Sequence, residues 1–166
     1  MNAARWSDLQ FETQNLPLTS VEATLRDKAI SDVKYNLTIA IPANKDYFLG
    51  HFKTQFNLVN STNLFLDFHG RHIYDVSING EQADQADLQF TEHRVKVVKE
   101  SLLKIGQQNE IEFKFENTFV DNSAGLHKYV DPKDKRTYIF SHTEPFFCHR
   151  WFPCFDQPSV RATLDL

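Results

Sequence analysis

The chain has 166 residues, 41% of them apolar and 24% charged, the balance of a single globular domain large enough to bury a core. Its net charge of −4 argues against a polyanionic partner, since nucleic-acid binders carry a basic stripe and none is present. No stretch approaches the eighteen or so apolar residues of a membrane span.

Residues 1–17 lack the apolar run of a secretory signal, so they are expected to form a lead ahead of a domain spanning 18–166, in a cytoplasmic protein. The first element is expected to be a short helix. Thr19 or Ser20 caps it, Glu22 lies in the first turn where a carboxylate favours the helix dipole, and Val21, Leu25 and Ala29 are spaced for one face. From Val33 the period becomes two, with Tyr35, Leu37, Ile39 and Ile41 on one side and Pro42 ending the strand. Further strands are predicted over 48–58, with Phe48, Phe52, Phe56 and Leu58 in phase, and over 63–69 and 72–78.

Asn79-Gly80 marks a tight turn, because both residues tolerate positive φ. Short strands at 88–90 and 94–98 precede one helical turn over 100–104 that stops at Gly106. In Glu110-Ile111-Glu112-Phe113-Lys114-Phe115-Glu116 apolar and charged residues alternate strictly, which predicts a strand with one wet face. Residues 121–135 read as a polar interruption with an exposed turn at Asp131-Pro132, and a strand follows over 137–140.

Short strands separated by turn residues predict a mainly β fold, an antiparallel saddle-like sandwich or curved sheet with one or two short helices. Fifteen Phe against one Met and two Trp point the same way, because aromatic side chains bury large areas on β surfaces. Two cysteines, Cys148 and Cys154, are too few for a disulfide framework and read as small buried hydrophobes.

The segment from Ser141 onward is the most particular part of the chain: Glu144-Pro145, then after six residues Phe152-Pro153-Cys154-Phe155, then Asp156-Gln157-Pro158. This order resembles the signature closing the amino-terminal domain of aminopeptidase N type zinc metalloaminopeptidases. Tyr35-Asn36-Leu37-Thr38-Ile39, Phe48-Leu49-Gly50-His51-Phe52, Leu66-Asp67-Phe68-His69-Gly70 and Gly125-Leu126-His127 extend the resemblance in order along the chain. It implies a saddle-shaped β domain that runs a few strands past Leu166, a residue expected to lie inside a strand, with the catalytic domain absent from these residues.

By the same resemblance, Glu144 binds the free α-amine of a peptide substrate beside a zinc ion whose ligands lie in the catalytic domain. His142 takes the place of a substrate-positioning glutamine, and Thr143 that of an apolar residue shaping the first side-chain pocket. Cys148-His149 replaces an alanine and an arginine. Asp156 is expected to pair with Arg150 or His149, and Cys154 to be packed among aromatics.

A metal site formed by His142, Cys148, His149 and Cys154 is disfavoured, because adjacent residues on a strand face opposite ways and zinc sites use short paired spacings. No His-Glu-x-x-His occurs, so this chain is expected neither to hold zinc nor to cleave peptides alone. The expected partners are its own catalytic domain and a peptide with a free amino terminus. The alternative is a free-standing, catalytically empty binding or assembly module derived from the same domain.

Overall fold

The structure is a computed structural model and describes residues 18–60, 63–91, 93–122 and 124–166. The lead expected over 1–17 lies outside the described residues. Helix α1 spans Ser20–Ala29. Thr19 caps it through a reciprocal box: its hydroxyl accepts from the Glu22 amide, and the Glu22 carboxylate accepts from the Thr19 amide.

Of the expected apolar face of this helix, Val21 and Leu25 turn outward and Ala29 inward. Val21 is 67% and Leu25 51% exposed, whereas Arg26 and Ala29 are buried. The cause is electrostatic, since Arg26 reaches inward to an aspartate, Asp67, at 2.6 Å.

Strand β1 (Ile30–Ala40) follows without a break and pairs antiparallel with β2 (Tyr47–Leu58). A bulge with Asp32 at φ 54° shifts the phase, so Ile30, Val33, Tyr35 and Leu37 all face inward while Ile41, past the strand end, is exposed. β2 turns every even residue inward, with Phe48, Phe52, Phe56 and Leu58 fully buried. At Gly50 the Phe115 ring lies where a Cβ would stand, within 2.1 Å of its ideal position, so only glycine fits there.

The expected strand at 63–69 contracts to β3 (Phe65–Asp67). It is followed by β4 (His72–Ile78) and β5 (Glu81–Gln82), joined through Asn79 and Gly80 at φ 54° and 82° as the Asn-Gly pair predicts. β6 (Leu88–Phe90) and β7 (Arg94–Val97) form a second hairpin, and a 3₁₀ turn over Glu100–Leu102 leads to Gly106 at φ 72°. β8 (Gln107–Thr118) is the alternating strand, with Ile111, Phe113 and Phe115 buried.

The segment read as a polar interruption contains a strand. β9 (Gly125–Val130) pairs antiparallel with β10 (Thr137–His142) across an irregular connection at 131–136. The mixed polarity of Gly125-Leu126-His127-Lys128-Tyr129-Val130 hid it. The last strand, β11 (Ala162–Asp165), ends one residue before Leu166 and pairs parallel with β1.

The strands form a six-stranded sheet in the order β11-β1-β2-β8-β4-β5, a three-stranded sheet β3-β7-β6, and the β9–β10 hairpin. The core lies between the first two. Phe68, beside β3, meets Phe113 and Phe115 of the large sheet at ring distances of 6.5 and 5.1 Å. The opposite face of the large sheet is polar, where Lys53 bridges Glu110 and Glu112 at 3.2 and 2.9 Å. The fold is therefore the mainly β, antiparallel layered architecture expected, with one parallel edge pair.

Candidate functional site

β10 leads directly into the signature. His142 ends the strand opposite Gly125, and the Phe147 amide donates to the Thr143 carbonyl at 2.9 Å, closing a turn that carries Glu144, Pro145 and Phe146. Glu144 is exposed, and among the described residues its carboxylate has no hydrogen bond or ion pair. A 3₁₀ turn over Cys148–Arg150 follows, packed against the start of β9, where a Cβ on Gly125 (φ 123°) would stand 2.9 Å from that of Arg150.

The rest of the signature is an anchor. Phe152 packs on Tyr35 and Phe52 at 5.9 and 6.3 Å, and Phe155 meets Phe56 edge-on at 5.4 Å. Cys154, buried as expected, exchanges backbone hydrogen bonds with Asp67 at 2.8 and 3.0 Å. Burial pushes its thiol pKa well above the ordinary value, which keeps it protonated. The Phe155 amide donates to the Tyr35 phenol oxygen at 2.8 Å.

Asp156 selects His149, not Arg150. One carboxylate oxygen accepts from the His149 amide at 3.1 Å and lies 2.7 Å from its Nδ1. The Arg150 guanidinium instead lies 5.3 Å from the centre of the Phe147 ring, and its backbone carbonyl accepts from Asn117. The histidine that stands where the resembling family has arginine thus takes up the carboxylate, and its ring is buried.

Sequence reasoning missed the group behind this pair. Asp67 Oδ2 accepts from Arg26 Nη1 at 2.6 Å and from the Asp156 amide at 2.9 Å, while Arg26 Nε donates to Gln157 at 3.0 Å. Both members of the ion pair are almost fully buried, with 4% and 5% of their side-chain surface accessible. Burial pushes the Asp67 carboxyl above its usual range, against the pull of Arg26 and the Asp156 amide. Arg26 and Asp67 are 41 residues apart, and no local pattern links them.

His142, Thr143 and Glu144 therefore form a contiguous, partly to fully exposed edge, and Cys154 and Asp156 lie in the anchor beneath it with Arg150 alongside. Cys148 and His149 sit in a 3₁₀ turn rather than on a strand. Asp156 engages His149 Nδ1, and His142 is exposed on β10. Among the described residues no three His, Cys, Asp or Glu side chains gather in a way that fits zinc.

Residues 31–166 match the family described as Peptidase M1 N-terminal domain. The chain belongs to that family. It is 26% identical to the aminopeptidase N of Bos taurus over 168 aligned residues, covering 97% of this chain and 17% of that protein. To the aminopeptidase N of Streptomyces lividans it is 28% identical over 101 residues, covering 61% of this chain and 11% of that protein.

Among solved structures, native leukotriene A4 hydrolase from Saccharomyces cerevisiae superposes with a TM-score of 0.65 at 21% identity, over 84% of this chain and 23% of that one. A mutant M1 zinc metallopeptidase from Deinococcus radiodurans, bound to a Tyr-Ser-Ala substrate, gives 0.59 at 19% identity, over 82% and 32%. These likenesses support the fold. The chain spans less than a fifth of the length of the two aminopeptidases and under a third of the two solved chains.

Proposed function

We propose that this domain serves a zinc metalloaminopeptidase that removes amino-terminal residues from peptides, and that Glu144 contributes the acidic anchor for the substrate α-amine. The observation that carries the reading is an exposed carboxylate with no partner among the described residues, carried on a turn whose base is tied down by Asp156. An ammonium group is what distinguishes a peptide's first residue from its internal ones. A carboxylate enclosed in a cleft recognises it through a charge-assisted hydrogen bond of roughly 1.5–3 kcal/mol. Holding the amine fixes its distance to the first peptide bond, so one residue leaves per turnover.

Zinc and its ligands belong, in this reading, to the catalytic domain, and no step is assigned to a metal on this chain. His142 and Thr143 directly precede the anchor and, in this reading, help to position the substrate's first residues. The catalytic domain covers the neighbouring β9–β10 hairpin, whose Tyr129, Tyr138 and Phe140 are about half exposed. The alternative, a free-standing binding module, draws on the same apolar side chains with an outside partner as their cover.

Glu144→Ala in the full-length polypeptide is expected to lower kcat/KM for amino-terminal cleavage roughly 10- to 100-fold, from the strength of the lost hydrogen bond, with zinc content unchanged. Unaltered kinetics would remove the anchor. The isolated 166-residue chain supplied with zinc is expected to show no peptidase activity. If the coding sequence past Leu166 lacks a His-Glu-x-x-His motif, the alternative takes over.

A further inference from the structure

The anchor reading leaves open what aims Glu144, and the side chain nearest that task is one the resembling family does not share. The Phe146 ring, two residues past Glu144, lies 4.6 Å from the His149 ring. His149 is held from its other side by Asp156 through both Nδ1 and the backbone amide. Asp156 is held in turn by Asp67, and Asp67 by Arg26 of α1. The His149 carbonyl accepts from the His69 amide at 2.8 Å, which fixes the same residue to the loop after β3.

We propose that His149 is a positioning residue for Glu144: its ring, fixed by Asp156, props Phe146 and so sets the direction of the Glu144–Phe147 turn. The proposal rests on the anchor reading. Elsewhere in the turn, the Phe147 ring meets the Arg150 guanidinium at 5.3 Å. One backbone hydrogen bond, Phe147 to Thr143, closes it, and Phe146 and Phe147 are only partly buried. Without the prop, the carboxylate would sample directions that no longer match the position of a substrate ammonium, although Glu144 itself is unchanged. An arginine at position 149 could hold Asp156 but offers a longer, more mobile support for an aromatic ring. The histidine is therefore expected to set both functions at once.

The test is a double-mutant cycle in the full-length polypeptide, read as kcat/KM for amino-terminal cleavage, with hydrogen exchange on the 166-residue chain beside it. His149→Asn keeps a donor for Asp156 and removes the ring. Phe146→Ala breaks the same contact from the exposed side and leaves the buried pair alone, so it remains informative if the first variant folds poorly.

Each is expected to lower kcat/KM about tenfold with Glu144 present and less than about twofold in the Glu144→Ala background. Each is also expected to speed exchange of the Phe147 amide while leaving the Asp67 and Cys154 amides protected. An equal loss in both backgrounds, or no loss with Glu144 present, overturns the positioning role. A neutral Glu144→Ala by itself overturns the anchor reading, and the proposal with it. Faster Phe147 exchange in that case would show that the prop exists and serves something else.

Discussion

At the scale of single residues, a charge pair that is almost fully buried ties the first helix to the signature segment. Arg26 and Asp67 meet at 2.6 Å with almost no accessible side-chain surface, and both also hold the signature segment, through Gln157 and the Asp156 amide. Removing one partner leaves the other charge buried and unpaired, which costs on the order of 3–5 kcal/mol. Asp67→Ala is therefore expected to lower unfolding stability by about that amount in urea titrations of the chain. A loss below about 1 kcal/mol would mean that water or a nearby group takes over.

Thr54 gives the opposite case. It is fully buried on β2, and among the described residues its hydroxyl has no hydrogen-bond partner. Thr54→Val, which keeps the shape and removes the unsatisfied group, is expected to be neutral or to stabilise by about 1 kcal/mol in the same titration.

These residues also mark the limit of what the sequence discloses. The alternation of β8 and the even-numbered phenylalanines of β2 are visible because a period of two is local, and Asn79-Gly80 is visible because its chemistry is the turn. The burial of Cys154 among aromatics could be read from the composition of its segment. Arg26 could not, because a charged residue on the inward face of a helix has a reason only in Asp67, and the two are brought together by the fold. The same blindness assigned Asp156 to either of two neighbours, where a 3₁₀ turn decides for His149.

At the scale of elements, α1 docks on β7 through groups whose protonation predicts how the contact responds to acid. Arg94 donates to Glu22 at 2.7 Å and, with Thr19, holds its carboxyl at about 2, below the ordinary 4.5. The stabilisation is complete above pH 4.5 and is lost as the pH falls from there toward 2. His93, the residue before β7, is held at about 4, below the ordinary 6.5, first by burial and then by His69, His149 and two arginines.

Its neutral form is the folded one. Below pH 6.5 the unfolded chain takes up a proton that the folded chain resists, so stability falls from 6.5 toward 4. The urea midpoint is expected to drop in two limbs. His93→Gln should flatten the limb that begins near 6.5, and Glu22→Gln the one that begins near 4.5. A profile insensitive to His93→Gln between pH 6.5 and 5 would show that its surroundings do not resist the charge.

At the scale of the whole molecule, the distribution of exposed apolar surface has a direction. All six residues of β10 are exposed, and Tyr138, Phe140 and His142 share the strand face that leads to Glu144. Tyr129 stands opposite Tyr138 and adds to the same apolar patch. The core draws nothing from this hairpin beyond Leu126. A face that the fold does not use and that ends at the proposed anchor is suited to docking the catalytic domain, because closing it would desolvate Glu144 in the same event and strengthen its hold on an ammonium.

The two roles separate by mutation. Replacing Tyr138 and Phe140 by serine is expected to change the stability of the 166-residue chain by no more than about 1 kcal/mol, since neither belongs to the core. In the full-length polypeptide the same pair of substitutions is expected to lower kcat/KM and to expose the junction between domains to limited proteolysis. Glu144→Ala is expected to lower kcat/KM with no change in the cleavage pattern. If the serine variant cleaves peptides normally and resists protease like the parent, the hairpin is not the docking face.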